Sequence, residues 1–176
     1  MTESKGPHVE LAITPATADD ITAIDEIEQH SFKSPWSRQT FEGELLREWA
    51  RLDVARHDGR IIAFCNYWLV TPRGAQHRDD GDKQAAFSGE LHILAIATHP
   101  DLRNRGVGAQ VLGHVLDVAL ATGCSLATLE VRRSNKPAIA MYERAGFKTV
   151  HVRARYYQDD DEDALVMLRG LTPPSP

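Results

Sequence analysis

The sequence predicts an α+β domain in which a parallel β-α-β unit is set inside a mixed β-sheet with helices flanking it. Three observations point there. Two near-continuous apolar runs, Leu91 to Thr98 and Leu126 to Val131, read as buried strands, and the stretch between them carries Val107, Val111, Leu112, Val115, Leu116, Ala119 and Leu120 at helical spacing. A strand, a helix and a strand in that order require a parallel pair with a right-handed crossover. Hairpin patterns stand on both sides of this unit. A chain of 176 residues suits one continuous core, so residues 11–170 are expected to form a single domain between tails at 1–10 and 171–176.

The elements follow in order. A short apolar stretch, Leu11 to Ile13, precedes Thr17, whose hydroxyl can cap a helix with Asp20 three residues on, and Ile21, Ile24 and Ile27 continue it. Ser37 opens a second helix, with Trp36 and Phe41 placed as a hydrophobic staple and Leu45 on the same face. Phe32 to Pro35 is then a tight turn between helices. From Leu52 to Val70 the β-branched and aromatic content indicates strands, and Asp58-Gly59 is a hairpin turn. Residues 71–89 are polar and long for a connection, which predicts a surface loop. Pro100 breaks the chain after the first apolar strand, and Gly123 ends the long helix. A short helix from Lys136 to Ala145 is capped by Ser134 or Asn135 and closed by Gly146. Phe147 to Tyr157 and Ala164 to Leu168 form the last hairpin.

Composition narrows the function classes. With 42% hydrophobic and 26% charged residues the chain is an ordinary globular one. No run approaches the ~18 apolar residues of a membrane helix and Met1 to Glu10 lacks a signal-peptide core, so a cytoplasmic, non-membrane protein is expected. A formal net charge of -5 argues against direct nucleic-acid binding. Cys65 and Cys124 are too few for a disulfide framework, and the eight histidines never fall at zinc-site spacing, so no metal is expected.

The chemistry concentrates before the long helix. Arg103-Asn104-Arg105-Gly106-Val107-Gly108 places successive backbone N–H groups at a positive helix end, where glycines admit an anion and the arginines add charge. A Gly-rich helix start without ligand is the bland alternative. A dinucleotide fold would put its glycines directly after the first strand, and a P-loop needs Gly-Lys-Ser/Thr; neither fits.

Arg103 to Gly108, followed by Leu129-Glu130-Val131-Arg132, Ser134-Asn135, Ala138, Tyr142 and Gly146-Phe147, resembles the GNAT acetyltransferases. Within them it is most similar to RimI-type ribosomal-protein-alanine N-acetyltransferases, through Pro35-Trp36-Ser37, Ile96-Ala97, Arg155-Tyr156-Tyr157 and Glu162-Asp163-Ala164 in the same order. The resemblance runs from about Ile13 to Leu168. It implies the GNAT fold, with the two parallel strands splayed, and acetyl-CoA as cosubstrate. Carried over residue by residue, it implies cofactor contacts at Ile96, Ala97, Thr98, Arg103, Asn104, Arg105, Gly106, Val107, Gly108, Ala109 and Asn135. Asn135 also reads as a plain helix cap.

Amine acetylation needs a neutral amine, a polarised carbonyl and a proton for the departing thiolate. The resemblance makes Glu130 the general base, directly or through water, and Tyr142 the general acid. From pattern alone, Glu130 could be an edge-strand surface acid and Tyr142 a core aromatic. The five acids Asp159 to Asp163 border the peptide entrance in RimI-like enzymes and would steer a basic N-terminus, although a solvated turn explains them too. The partner implied is a basic protein N-terminus beginning with alanine, from a small-subunit ribosomal protein. An α-amine, with a reference pKa of about 7.7 to 8.0 against about 10.4 for lysine, suits a weak carboxylate base. Lysine or small-amine acetylation, and CoA binding without turnover, remain open alternatives. The 71–89 loop is much longer than in typical RimI proteins, which bears on the choice of partner. It lies at the start of the strand whose far end carries the expected cofactor contacts, roughly 20 Å from them.

Overall fold

The computed structural model describes residues 10–70 and 89–172. The expected 71–89 loop, apart from Gly89, lies outside these residues, as do the outer parts of both tails. Seven strands, β1 (Ala12–Pro15), β2 (Ala50–His57), β3 (Arg60–Val70), β4 (Gly89–Thr98), β5 (Cys124–Arg132), β6 (Lys148–Tyr157) and β7 (Glu162–Gly170), pair in the order β1-β2-β3-β4-β5-β7-β6. The helices are α1 (Ile21–Gln29), α2 (Arg38–Leu45), α3 (Val107–Ala121) and α4 (Lys136–Arg144). The chain divides into two compact units, Met1–Asn66 with Ala95–His114 and Tyr67–Leu94 with Val115–Pro176.

In the first unit the local signals act as expected. The Thr17 N–H donates to Asp20 Oδ2 at 2.9 Å, a capping box that starts a 3-10 turn leading into α1. Ser37 Oγ accepts the Thr40 N–H at 3.2 Å, and Trp36 meets Phe41 with ring centroids 5.8 Å apart, so cap and staple are both present at α2. The apolar stripe of α1, Ile21, Ile24 and Ile27, packs with Phe41, Leu52, Val54, Phe64 and Ala97 into a buried core. Asp58 and Gly59 both take positive φ, 49° and 75°, the geometry of a two-residue turn matched to strand twist.

The second unit holds a parallel ladder. β4 pairs with β5 from Gly89↔Cys124 to Ile93↔Leu129, and the ladder ends there although β4 runs on to Thr98 and β5 to Arg132. This is the splay expected of the fold. β5 and β7 pair antiparallel from Leu126↔Gly170 to Arg132↔Ala164, which makes β5 an internal strand. Cys124 opens β5 and is buried.

Candidate active site

The first unit carries the loop ahead of α3. Asn104 and Gly106 adopt φ of 61° and 78°, so the chain turns sharply before the helix begins. Asparagine and glycine are the residues that tolerate this region best. The first helical bond runs from the Gln110 N–H to the Gly106 carbonyl, and none of the N–H groups from Asn104 to Ala109 has a backbone acceptor among the described residues. A Cβ built on Gly106 meets no protein atom within 4 Å, so the space over the turn is open. N–H groups without backbone acceptors, beside open space at a helix N-terminus, fit a phosphate group.

Two of the expected contact residues have other work. Arg103 turns back: its Nε donates to the Thr98 carbonyl at 3.1 Å, and one Nη donates to the His30 carbonyl at 3.0 Å and Ser31 Oγ at 2.9 Å. Its guanidinium therefore ties the α1–α2 turn to the end of β4, and the Thr98 carbonyl is already engaged. Arg105 is exposed, as are Asn104 and Ala109; Val107 is buried beneath the helix start. Ile96 and Ala97 occupy the last turn of pleat in β4, Ala97 buried and Ile96 half-buried.

The second unit carries the titratable groups. Glu130 sits on β5 with a side chain 13% exposed, and both carboxylate oxygens are engaged: Oε2 with His92 Nε2 at 2.8 Å and Oε1 with Arg153 Nη1 at 3.3 Å. The internal position of β5 removes the edge-strand reading. The His92 hydrogen bond, opposed by burial and assisted by the charges of His92 and Arg153, holds the Glu130 carboxyl below the ordinary glutamate value. A carboxylate that stays ionised at neutral pH can only accept hydrogen bonds, so the His92 ring donates. The ring stands edge-on to Trp68, centroids 6.1 Å apart.

Tyr142 lies on α4, buried, with its ring edge-on to Phe147 at 5.8 Å. Asn135 is the N-cap of α4: Oδ1 accepts the Ala138 N–H at 3.3 Å, and between the two expected candidates the structure selects Asn135 over Ser134. The acidic turn is not a loose cluster. Arg132 donates to both Asp159 oxygens (2.7 and 2.6 Å), to Asp160 at 2.8 Å and to Glu162 at 3.1 Å, while its guanidinium lies 3.9 Å from the Tyr157 ring centroid. Asp163 pairs with Arg133, and the Ser134 N–H donates to Glu162. The turn is exposed, as a solvated turn would be, but its carboxylates do not stand unpaired: they close a clasp on the end of β5. Tyr157 is held in that clasp, and burial pushes its phenol up to about 12. Tyr156 is exposed beside Arg153.

The sequence pattern of the acetyltransferase (GNAT) family matches residues 21–147. The chain belongs to the GNAT acetyltransferase family. Its relatives include the [ribosomal protein bS18]-alanine N-acetyltransferase of Salmonella typhimurium, 33% identical over 84% of this chain and 89% of that protein. The N-alpha-acetyltransferase RimI of Mycobacterium tuberculosis is 29% identical over 94% of this chain and 96% of its own length. The crystal structure of the ribosomal-protein-S18-alanine N-acetyltransferase from Escherichia coli superposes with a TM-score of 0.77 at 28% identity, covering 94% of this chain and 97% of that one.

For this GNAT member, sequence reasoning reached Glu130 but missed the two groups bound to it. In the sequence His92 is one of eight histidines without metal-site spacing, and no motif marks Arg153. A signal for His92 exists: it and Glu130 each interrupt an apolar strand, and in a parallel pair His92 falls opposite Thr128, two residues from Glu130 and on the same face. Among the described residues no group of His, Cys, Asp or Glu is arranged to hold a metal. No described helix is long and apolar enough to cross a membrane.

Proposed function

We propose that this chain transfers the acetyl group of acetyl-CoA to the α-amine of a protein N-terminus, with an N-terminal alanine on a basic segment of a small-subunit ribosomal protein as preferred acceptor. The observation that carries this reading is the likeness to enzymes named for that reaction, which extends over nearly the whole length of both chains.

The site chemistry supports it. The turn from Asn104 to Gly108 would receive the pyrophosphate on backbone N–H groups, with Arg105 adding charge, and Ile96, Ala97 and Asn135 would complete the hold on the cofactor. Bound there, acetyl-CoA supplies an activated thioester. The amine must lose a proton to attack, which places the base among Glu130 and the groups that hydrogen-bond to it. Tyr142 would return a proton to the sulfur. An ammonium acceptor gives up two protons per acetyl moved; one reaches the thiolate and the other reaches solvent.

The decisive experiment is mass spectrometry of a peptide panel incubated with the enzyme and acetyl-CoA. Acetylation of the alanine N-terminus ahead of internal lysines and polyamines is expected; the reverse order would refute the N-terminal reading and leave the GNAT assignment standing. Tyr142→Phe is expected to lower kcat by roughly 10²-fold at unchanged CoA affinity, and near-wild-type turnover would remove Tyr142 from the acid role.

A further inference from the structure

Glu130 is committed on both oxygens, one to His92 and one to Arg153, so a proton arriving at this carboxylate must displace a charge-assisted bond. His92 is differently placed. Its Nε2–H donates to Glu130 at 2.8 Å, which in the neutral ring leaves the lone pair on Nδ1, and that nitrogen has no hydrogen-bond partner among the described residues. The ring is 28% exposed, whereas the Glu130 side chain is 13% exposed. A buried carboxylate that fixes an imidazole tautomer and stabilises its protonated form is an arrangement suited to general-base work.

We propose that His92, through Nδ1, is the base that takes the proton from the substrate amine, and that Glu130 is the group that orients and stabilises it. This rests on the acetyl-transfer reading above and reassigns the base within it. The N–H bond of the acceptor breaks, the proton passes to Nδ1, and the resulting imidazolium is held by Glu130 until it releases the proton to solvent. Trp68 from β3 stands edge-on to the ring, and Arg153 and Tyr157 from β6 are further charged or titratable groups that act on Glu130. Arg153 keeps Glu130 ionised, so the proton stays on the imidazole. Both partners reduce the affinity of Glu130 for protons.

The test compares wild type, His92→Gln, His92→Ala and Glu130→Gln on one alanine-starting peptide across pH 5 to 9, so that ionisation of the acceptor is common to all profiles. His92→Gln is expected to lower kcat by about 10²-fold, and imidazole in the buffer is expected to restore part of the activity of His92→Ala. Glu130→Gln, which keeps an acceptor for Nε2–H but removes its charge, is expected to cost less and to move the acid limb to lower pH. Retention of kcat in His92→Gln, with an acid limb moved to higher pH as the carboxylate loses its partner, would overturn the proposal in favour of Glu130 as base. A wild type that acetylates no amine would refute the acetyl-transfer reading itself. Nitrogen-15 NMR of wild-type His92 decides the base independently of turnover and of any variant that fails to fold. A neutral ring protonated at Nε2 is expected, and a ring protonated at Nδ1 would overturn the proposal.

Discussion

Glu28 shows what burial does to one carboxyl. It lies on α1, 2% exposed; Oε1 accepts the Trp36 N–H at 2.9 Å, and Oε2 is buried without a hydrogen-bond partner. Burial, only partly offset by the Trp36 bond, pushes the carboxyl up to about 7. Between the ordinary glutamate value and about 7 the native state therefore holds a proton that the unfolded chain has released. Stability from this group falls as pH rises through that window, and above it the charged form is buried at full cost. Glu28→Gln supplies the neutral form at every pH. It is expected to raise stability at pH 8 by on the order of 2 kcal/mol and to change little at pH 5, as measured by urea unfolding at both values. Equal effects at the two pH values would show that Glu28 is not titrating there. Sequence alone could not single out this residue, because an acid on an amphipathic helix is ordinarily exposed. Its carboxyl accepts a hydrogen bond from Trp36, eight positions away. Glu44 makes the contrast: equally buried, it meets Arg47 at 2.6 Å.

At the level of elements, the features set by neighbouring residues were legible and those set by distant ones were not. Thr17 with Asp20, Ser37 with the Trp36–Phe41 staple, the Asp58-Gly59 turn and the Gly123 and Gly146 stops all depend on a few adjacent residues and could be read directly. The loop before α3 belongs to the same class. Gly106 sits at φ 78°, where a β-branched residue is strained by about 1 to 2 kcal/mol, although its Cβ would meet no protein atom. Gly106→Val is thus expected to weaken CoA binding by about tenfold or more through a displaced backbone, with a smaller effect on folding; calorimetric titration measures it, and unchanged affinity would remove the pyrophosphate assignment. The clasp of Arg132 on Asp159, Asp160 and Glu162 was illegible. It joins residues about thirty apart, and a run of acids in isolation repels itself. Arg132→Ala leaves those carboxylates facing one another. A fall of several degrees in Tm is expected in thermal unfolding, larger than that of Arg133→Ala, whose side chain is 63% exposed.

Over the whole molecule, the order of elements and the parallel β4–β5 pair followed from hydrophobic pattern, because period and length distinguish strand from helix. The partners of Glu130 did not follow, because they come from β4 and β6 and meet only after the sheet has formed. The clasp also changes how a basic acceptor should be drawn to the enzyme. Steering by free carboxylates at Asp159 to Asp161 would require those charges to face solvent, yet Asp159 and Asp160 are bound to Arg132, and their removal would disturb the hairpin first. What remains for steering is the field of a chain with a formal net charge of -5, which acts at long range and is screened over a Debye length of about 8 Å at physiological salt. On this basis kcat/KM for a basic alanine-starting peptide is expected to fall several-fold between low and physiological salt, while a neutral peptide with the same first residue stays nearly constant. Asp161→Asn, which removes one charge outside the Arg132 clasp, should reduce the salt dependence slightly without lowering Tm. Asp159→Asn with Asp160→Asn should lower Tm as well. Equal salt slopes for the basic and neutral peptides would show that the field does not select the acceptor, and the preference for a basic segment would then have to come from contacts made after encounter.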